Sequence, residues 1–357
     1  MDLFLASVSK DKKDLEKILS YEHKAIYEKD GFIILQDGHE LTTIEDDSSI
    51  LSNLCSFDVV SIVGKKIRQV VYSHGRSDNA VVVTDKCNSN CIMCPYTENY
   101  RKKAQKTDLN YNLQVIEYIP SDIKHLIITG GEPTLYQESF LEIMRAIREK
   151  FEDTELLLLT NGRTMSNKEF ALKALNVVPE RVLWGIPVHG PNSIIHDTIS
   201  QTPGSFSQTE YGIKTLLFNQ REVEIRIVIS KLNYKKLEET ACYIAASFPK
   251  VKQVTFMAME MCGAAAINKE LIWIDYETAA QYAQKAAIVL IRQGIKVLFY
   301  NFPLCKVNKG FWSLCADSIT DYKIRYADTC GLCSVRSICG GVFSTTLGLT
   351  KMPLFPI

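Results

Sequence analysis

Cys87, Cys91 and Cys94 fall within the eight residues CNSNCIMC of a 357-residue chain. Gaps of three and then two residues let one short loop curl over a face of a compact inorganic cluster, all three sulfurs pointing inward. Structural zinc commonly takes four protein ligands as separated pairs, and no nearby His or Cys completes a set here. Three thiolates on a four-iron cluster leave one iron without a protein ligand, open to a small molecule. A second group, Cys305, Cys315, Cys330, Cys333 and Cys339, includes the run CGLCSVRSIC. Judged alone, Cys330, Cys333 and Cys339 with Cys305 upstream could hold zinc. Cys55, Cys242 and Cys262 stand alone and read as small buried apolar residues. Eleven cysteines is an odd count, and without an export signal it argues against a disulfide framework.

Other residues able to do chemistry sit just after apolar runs. TGGEPTLY (129–136) joins adjacent glycines, which permit close backbone approach, to a stiff Glu-Pro turn; Gly130, Gly131, Glu132 and Pro133 thus offer carbonyls and a carboxylate. Asn161, in TNGR (160–163), suits either a ribose or a turn. His189 suits a loop hydrogen bond or a ligand. Arg226 is a charge within an apolar run, so a partner is expected for it.

The elements that must position these residues are strand-helix units. From residue 79 onward, AVVVT (80–84), HLIIT (125–129), ELLLLT (155–160), RVLWGIPV (181–188), VEIRIVI (223–229) and VKQVTFMA (251–258) alternate with amphipathic stretches such as 138–151 and 235–248. Near-continuous apolar strands predict a parallel sheet covered by helices, either a partial barrel or an open doubly wound sheet. In both, the carboxyl ends of the strands, where the motifs lie, are where sites are built. Residues 1–75 differ: the charged stretch 10–30 has a helical pattern and GFIILQDG (31–38) reads as a strand, which predicts a small α+β addition. Past residue 300 the periodicity fades into the cysteine-bearing segment, which suits a metal centre organising the chain.

Forty-one basic and 41 acidic residues cancel, and no basic stripe suggests nucleic acid or an anionic membrane. No apolar run approaches the roughly 18 residues of a membrane span, so a cytoplasmic protein is expected.

With CxxxCxxC after the first strand and GGEP after the second, the chain resembles the radical S-adenosylmethionine (SAM) superfamily. The resemblance implies an α/β fold, a partial (β/α)6 barrel over 76–300, with a [4Fe–4S] cluster on Cys87, Cys91 and Cys94. It implies that SAM chelates the fourth iron and is cleaved to a 5′-deoxyadenosyl radical. Gly130, Gly131, Glu132 and Pro133 match the turn that binds the SAM amino group, and Arg226 is matched to its carboxylate or to a structural ion pair. Met93 stands where an aromatic is usual. CGLCSVRSIC resembles the auxiliary iron–sulfur (SPASM/twitch-like) extension of the peptide-modifying branch, over 301–357. Its usual last cysteine is Phe343 here, so one auxiliary [4Fe–4S] cluster on Cys305, Cys330, Cys333 and Cys339 is expected, with Cys315 spare or an alternative ligand. GIPVHG, HD (196–197), AMEMCGAAAINKELIWID (258–275), SITDYK (318–323) and CGG (339–341) resemble the His-Xaa-Ser system radical SAM maturase, C-type. That implies as partners a small ribosomally made precursor peptide, a flavodoxin- or ferredoxin-type reductase and a second radical SAM maturase. No residue is assigned as a catalytic acid or base. Two alternatives are a radical SAM enzyme acting on a metabolite or RNA and a non-catalytic metal-stabilised binding protein.

Overall fold

A computed structural model describes residues 3–46, 49–104 and 108–357. Parts of the expected N-terminal addition, residues 1–2 and 47–48, lie outside the described residues. The N-terminal region forms a six-stranded sheet from β1 (Leu3–Val8), β2 (Ala25–Lys29), β3 (Phe32–Asp37), β4 (Glu40–Ile44), β5 (Val59–Val63) and β6 (Lys66–Tyr72), in the order β4-β3-β2-β1-β5-β6. Ala6, Val8, Ile26, Ile33, Val60 and Ile62 give it a core of its own. The helix expected across 10–30 spans only Lys12–Ser20. Its continuation is broken where Glu22 turns to φ +59, and 25–29 is instead a strand paired on both sides, to β1 and β3. Backbone pairing overrides the charged helical pattern there.

Eight further strands make the second sheet: β7 (Ala80–Val82), β8 (His125–Thr129), β9 (Glu155–Leu159), β10 (Leu183–Pro187), β11 (Glu222–Val228), β12 (Gln253–Met257), β13 (Lys296–Tyr300) and β14 (Cys315–Ala316). All neighbours run parallel. Six of the eight are the expected ones; β13 and the two-residue β14 are additional. Spatial order follows chain order throughout. A doubly wound sheet reverses direction at a switch point, and this one has none. With right-handed crossovers, the intervening helices therefore collect on one face.

Burial agrees. Ile128, Leu158, Ile186, Ile225, Val254 and Phe299 point to the helices and are fully buried. Their alternates Ile127, Leu157, Leu159, Val228 and Leu298 are only partly buried. One face is thus packed core, each large side chain contributing about 1.5–3 kcal/mol, and the other is only partly buried, with the polar Glu224, Gln253 and Thr255 buried on it. The N-terminal region also packs on the helix Leu109–Tyr118, where Tyr118 Oη accepts the Lys24 backbone N–H at 3.0 Å and its ring stacks on His23 at 4.1 Å. Beyond β14 the chain runs in short 3-10 turns, with the strand pair β15 (Ile324–Arg325) and β16 (Val342–Phe343) and a helix at Ser344–Thr350. No helix among the described residues is long and apolar enough to cross a membrane.

Candidate functional site

The three-cysteine loop leaves the carboxyl end of β7 and the Gly-Gly turn leaves the neighbouring β8. Backbone bonds tie them: Gly131 N–H donates to Thr84 O at 2.6 Å and Glu132 N–H to Lys86 O at 2.8 Å. A Cβ on Gly130 would stand 2.3 Å from Thr84 O, and one on Gly131 2.3 Å from Lys86 O. The glycines are required by this contact between two loops of the chain itself. Gly130, at φ +147, also holds a backbone conformation that L residues rarely adopt.

The Glu132 carboxylate does not face a ligand. Fully buried, it accepts from the Thr134 N–H at 3.0 Å, the Thr134 and Thr160 hydroxyls (the latter at 2.6 Å), and the Asn161 N–H at 2.7 Å. This corrects the expectation that its side chain is offered to a cofactor. A buried carboxylate needs several donors, and the neighbouring strand end supplies them. What the turn has left to offer is backbone.

Asn161 bridges back to the cysteine loop, its Nδ2 donating to Asn88 Oδ1 at 2.6 Å. Arg163, which no local motif marks, adds bonds to Asn88 O and to Ser89 Oγ (2.9 Å), and its Nε donates to Gln208 at 2.7 Å. On the other side, Asn90 N–H and Ile92 N–H donate to Ser200 O and Ile199 O, and Asn268 Nδ2 donates to Ile92 O at 2.9 Å. The loop is pinned from three sides: by the end of β9, by the last residues of the helix Ser193–Ser200, and by Asn268 after the short helix Gly263–Ile267.

Cys87, Cys91 and Cys94 are partly buried. Burial pushes the Cys87 thiol up to about 11 and Cys91 to about 12, with the neighbouring thiols adding to the rise. Thiols held in this way resist ionising together until a cation compensates them. Cys87 Sγ also accepts the Ser89 N–H at 3.4 Å, the kind of N–H···S contact that suits a cluster ligand. The donor set fits a cluster on three thiolates. Cys262, read as an isolated cysteine, lies beside Cys94, where the Ala264 N–H donates to Cys94 O at 2.9 Å; its thiol is pushed up to about 11, mainly by burial and then by Glu260.

Arg226 has the structural partner that a buried charge requires. Its Nη1 lies 3.5 Å from Glu224 Oε2, and its guanidinium covers the Tyr300 ring at 5.6 Å. Glu224 accepts in turn from Thr255 and Gln253. These side chains occupy the partly open face of the sheet. His189 is buried, with its backbone N–H donating to His196 Nδ1 at 3.2 Å and its carbonyl accepting from Asn233.

The second cysteine group also comes together. Cys305, Cys330, Cys333 and Cys339 line one cavity, closed by Val335, Leu354 and Phe355. Cys339 Sγ accepts the Leu304 N–H at 3.4 Å. Cys315 is not on that wall; its thiol leans on Phe311 O, and burial pushes it up to about 12. Four thiols in an otherwise largely apolar cavity fit a fully ligated cluster. Among the described residues no three His, Cys, Asp or Glu side chains close on one point as single-ion ligands do.

The sequence profile of the radical SAM superfamily matches residues 81–244, from β7 through the three cysteines, the Gly-Gly turn, Asn161 and Arg226. This span is similar to the radical SAM domain. The superfamily's cofactors are a [4Fe–4S] cluster and SAM. Among curated proteins, a GTP 3′,8-cyclase of Petrotoga mobilis is 31% identical over 176 residues, 47% of this chain and 53% of the cyclase. The antilisterial bacteriocin subtilosin biosynthesis protein AlbA of Bacillus subtilis is 24% identical over 188 residues, 51% of this chain and 40% of AlbA. The chain therefore spans about half the length of the curated relatives it matches. Of solved structures, Streptococcus suis SuiB superposes with a TM-score of 0.49 at 12% identity, over 63% of this chain and 49% of SuiB.

Proposed function

We propose that the chain is a radical SAM maturase that cleaves SAM reductively and takes a hydrogen atom from a ribosomally made peptide of the His-Xaa-Ser type. The observation that carries this is the three-thiol loop pinned at the carboxyl edge of a singly wound sheet, one strand from a turn with only backbone left to offer. When bound, the cluster and SAM supply a carbon-centred radical. The chain's own residues do the rest. Cys87, Cys91 and Cys94 hold the cluster. Gly130, Gly131 and the Glu132 backbone, with Pro133 stiffening the turn, orient the SAM amino group, while Asn161 fixes the loop and Arg226 faces the cofactor carboxylate from beside Glu224. The partly open face of the sheet becomes the wall of a partial barrel (76–300), where the substrate is held away from water.

Peptide modification is supported by the motifs shared with the C-type His-Xaa-Ser maturases and by a matched relative named for bacteriocin biosynthesis. In this reading 1–75 is an addition, and 301–357 is a SPASM/twitch-like extension holding an auxiliary [4Fe–4S] cluster on Cys305, Cys330, Cys333 and Cys339. The setting is cytoplasmic, electrons come from a flavodoxin or ferredoxin, and a second maturase shares the substrate. A small-molecule substrate is the second reading, favoured by the 31% identity to a GTP cyclase. Co-expression with the precursor peptide, followed by mass spectrometry in deuterated and ordinary water, separates them. A mass change or label uptake supports the maturase, and an unaltered, unlabelled peptide removes it.

A further inference from the structure

Arg101 is 7% exposed, on the helix Glu98–Lys103 that follows the cysteine loop. Its Nη1 donates to Tyr96 O at 3.1 Å and its Nη2 to Asn90 Oδ1. Both acceptors are neutral, and both lie within the stretch that carries Cys91 and Cys94. The carboxylate one turn back, Glu98, is more than half exposed and pairs with Lys102 at 2.6 Å. Arg101 itself forms no ion pair among the described residues. A guanidinium withdrawn from water with only neutral partners is costly, and such a charge is retained where an opposite one balances it. The field of Arg101 reaches Glu98, which is exposed and already paired with Lys102. On its other side Arg101 lines one cavity with Cys87, and Asn90, whose side chain it holds, is the residue next to Cys91.

We infer that Arg101 is the fixed counter-charge of the cluster held by Cys87, Cys91 and Cys94 and sets its reduction potential. The inference rests on the reading of those cysteines as cluster ligands. Three thiolates leave a four-iron cluster with net negative charge, and reduction adds one more. A buried cation beside it therefore favours the reduced state, and its strength depends on charge and burial rather than on the shape of the side chain. Arg101 touches neither substrate nor cofactor in this account; it acts through the cluster.

The test is an EPR-monitored redox titration of the anaerobically reconstituted full chain, reading the signal that changes when SAM is added. Arg101→Gln and Arg101→Met should lower the ratio of reduced to oxidised cluster at a fixed potential by about tenfold, equivalent to roughly 59 mV for a one-electron couple. Arg101→Lys, which keeps the charge, should stay near the wild type. A neutral variant with full iron and an unshifted potential overturns the inference. If neither neutral variant loads the cluster, loading retained in Arg101→Lys supports it and loading lost in all three overturns it. Wild-type chain that binds no iron at these cysteines fails the underlying reading instead, a different and separately visible result.

Discussion

Glu132→Gln tests how the cofactor turn is held. The substitution keeps the shape and removes the charge. One carboxylate oxygen takes the Thr134 N–H and two hydroxyls, and the other takes the Asn161 N–H. An amide has a single acceptor oxygen, so one of the two backbone N–H groups must face an NH2. With the site fully buried, water cannot relieve it. An unpaired buried N–H costs about 1–3 kcal/mol, and the three remaining bonds lose their charge assistance at about 0.5–1 kcal/mol each. The sum is at least about 3 kcal/mol. Because Asn161 also holds Asn88 beside Cys87, the loss should reach the cysteine loop. Anaerobic urea unfolding of the apo-protein should show a stability loss of at least about 3 kcal/mol, and reconstituted protein should carry less iron and bind SAM more weakly. Stability within about 0.5 kcal/mol of wild type, with normal iron and SAM binding, would refute the reasoning.

Gly131→Ala should lower stability by about 1–3 kcal/mol, because its Cβ meets the Lys86 backbone; Gly348→Ala, open on every side, should be neutral or slightly stabilising in the same thermal scan. Burial lowers His196 to about 4, against Coulombic support from Asp197. Its neutral form gives stability fully present above the unfolded value near 6.5 and lost as pH falls toward 4. From pH 7 to pH 5 this amounts to about 2 kcal/mol, which should vanish from the pH dependence of urea unfolding in His196→Gln. Replacing Cys330 and Cys333 together with Ala should remove one cluster's iron yet leave SAM-dependent EPR changes at the other; loss of both would contradict separate sites.

The sheet was legible because strands buried on one face and lined by apolar residues on the other read as continuous runs, so β7 to β12 stand out. β13 was not picked out, because its run KVLFY lies next to a segment dominated by cysteines, and β14 has two residues, too few for any periodicity. Cys87, Cys91, Cys94 and the Gly-Gly turn were legible because their spacing is local. What pins them was not. Asn161 meets Asn88 across 73 positions and Arg163 meets Ser89 across 74, contacts that only the order of the strands creates. The destination of the Glu132 side chain was hidden for the same reason: two of its donors belong to the next strand end.

The most direct measurement is iron and sulfide analysis with EPR on chain in which Cys305, Cys330, Cys333 and Cys339 are all Ala, leaving only the three-cysteine loop. One [4Fe–4S] cluster per chain, with a reduced-state signal that changes on adding SAM and disappears in the further variant Cys91→Ala, is the predicted result. Folded protein without iron, or a cluster whose signal SAM does not move, would contradict it.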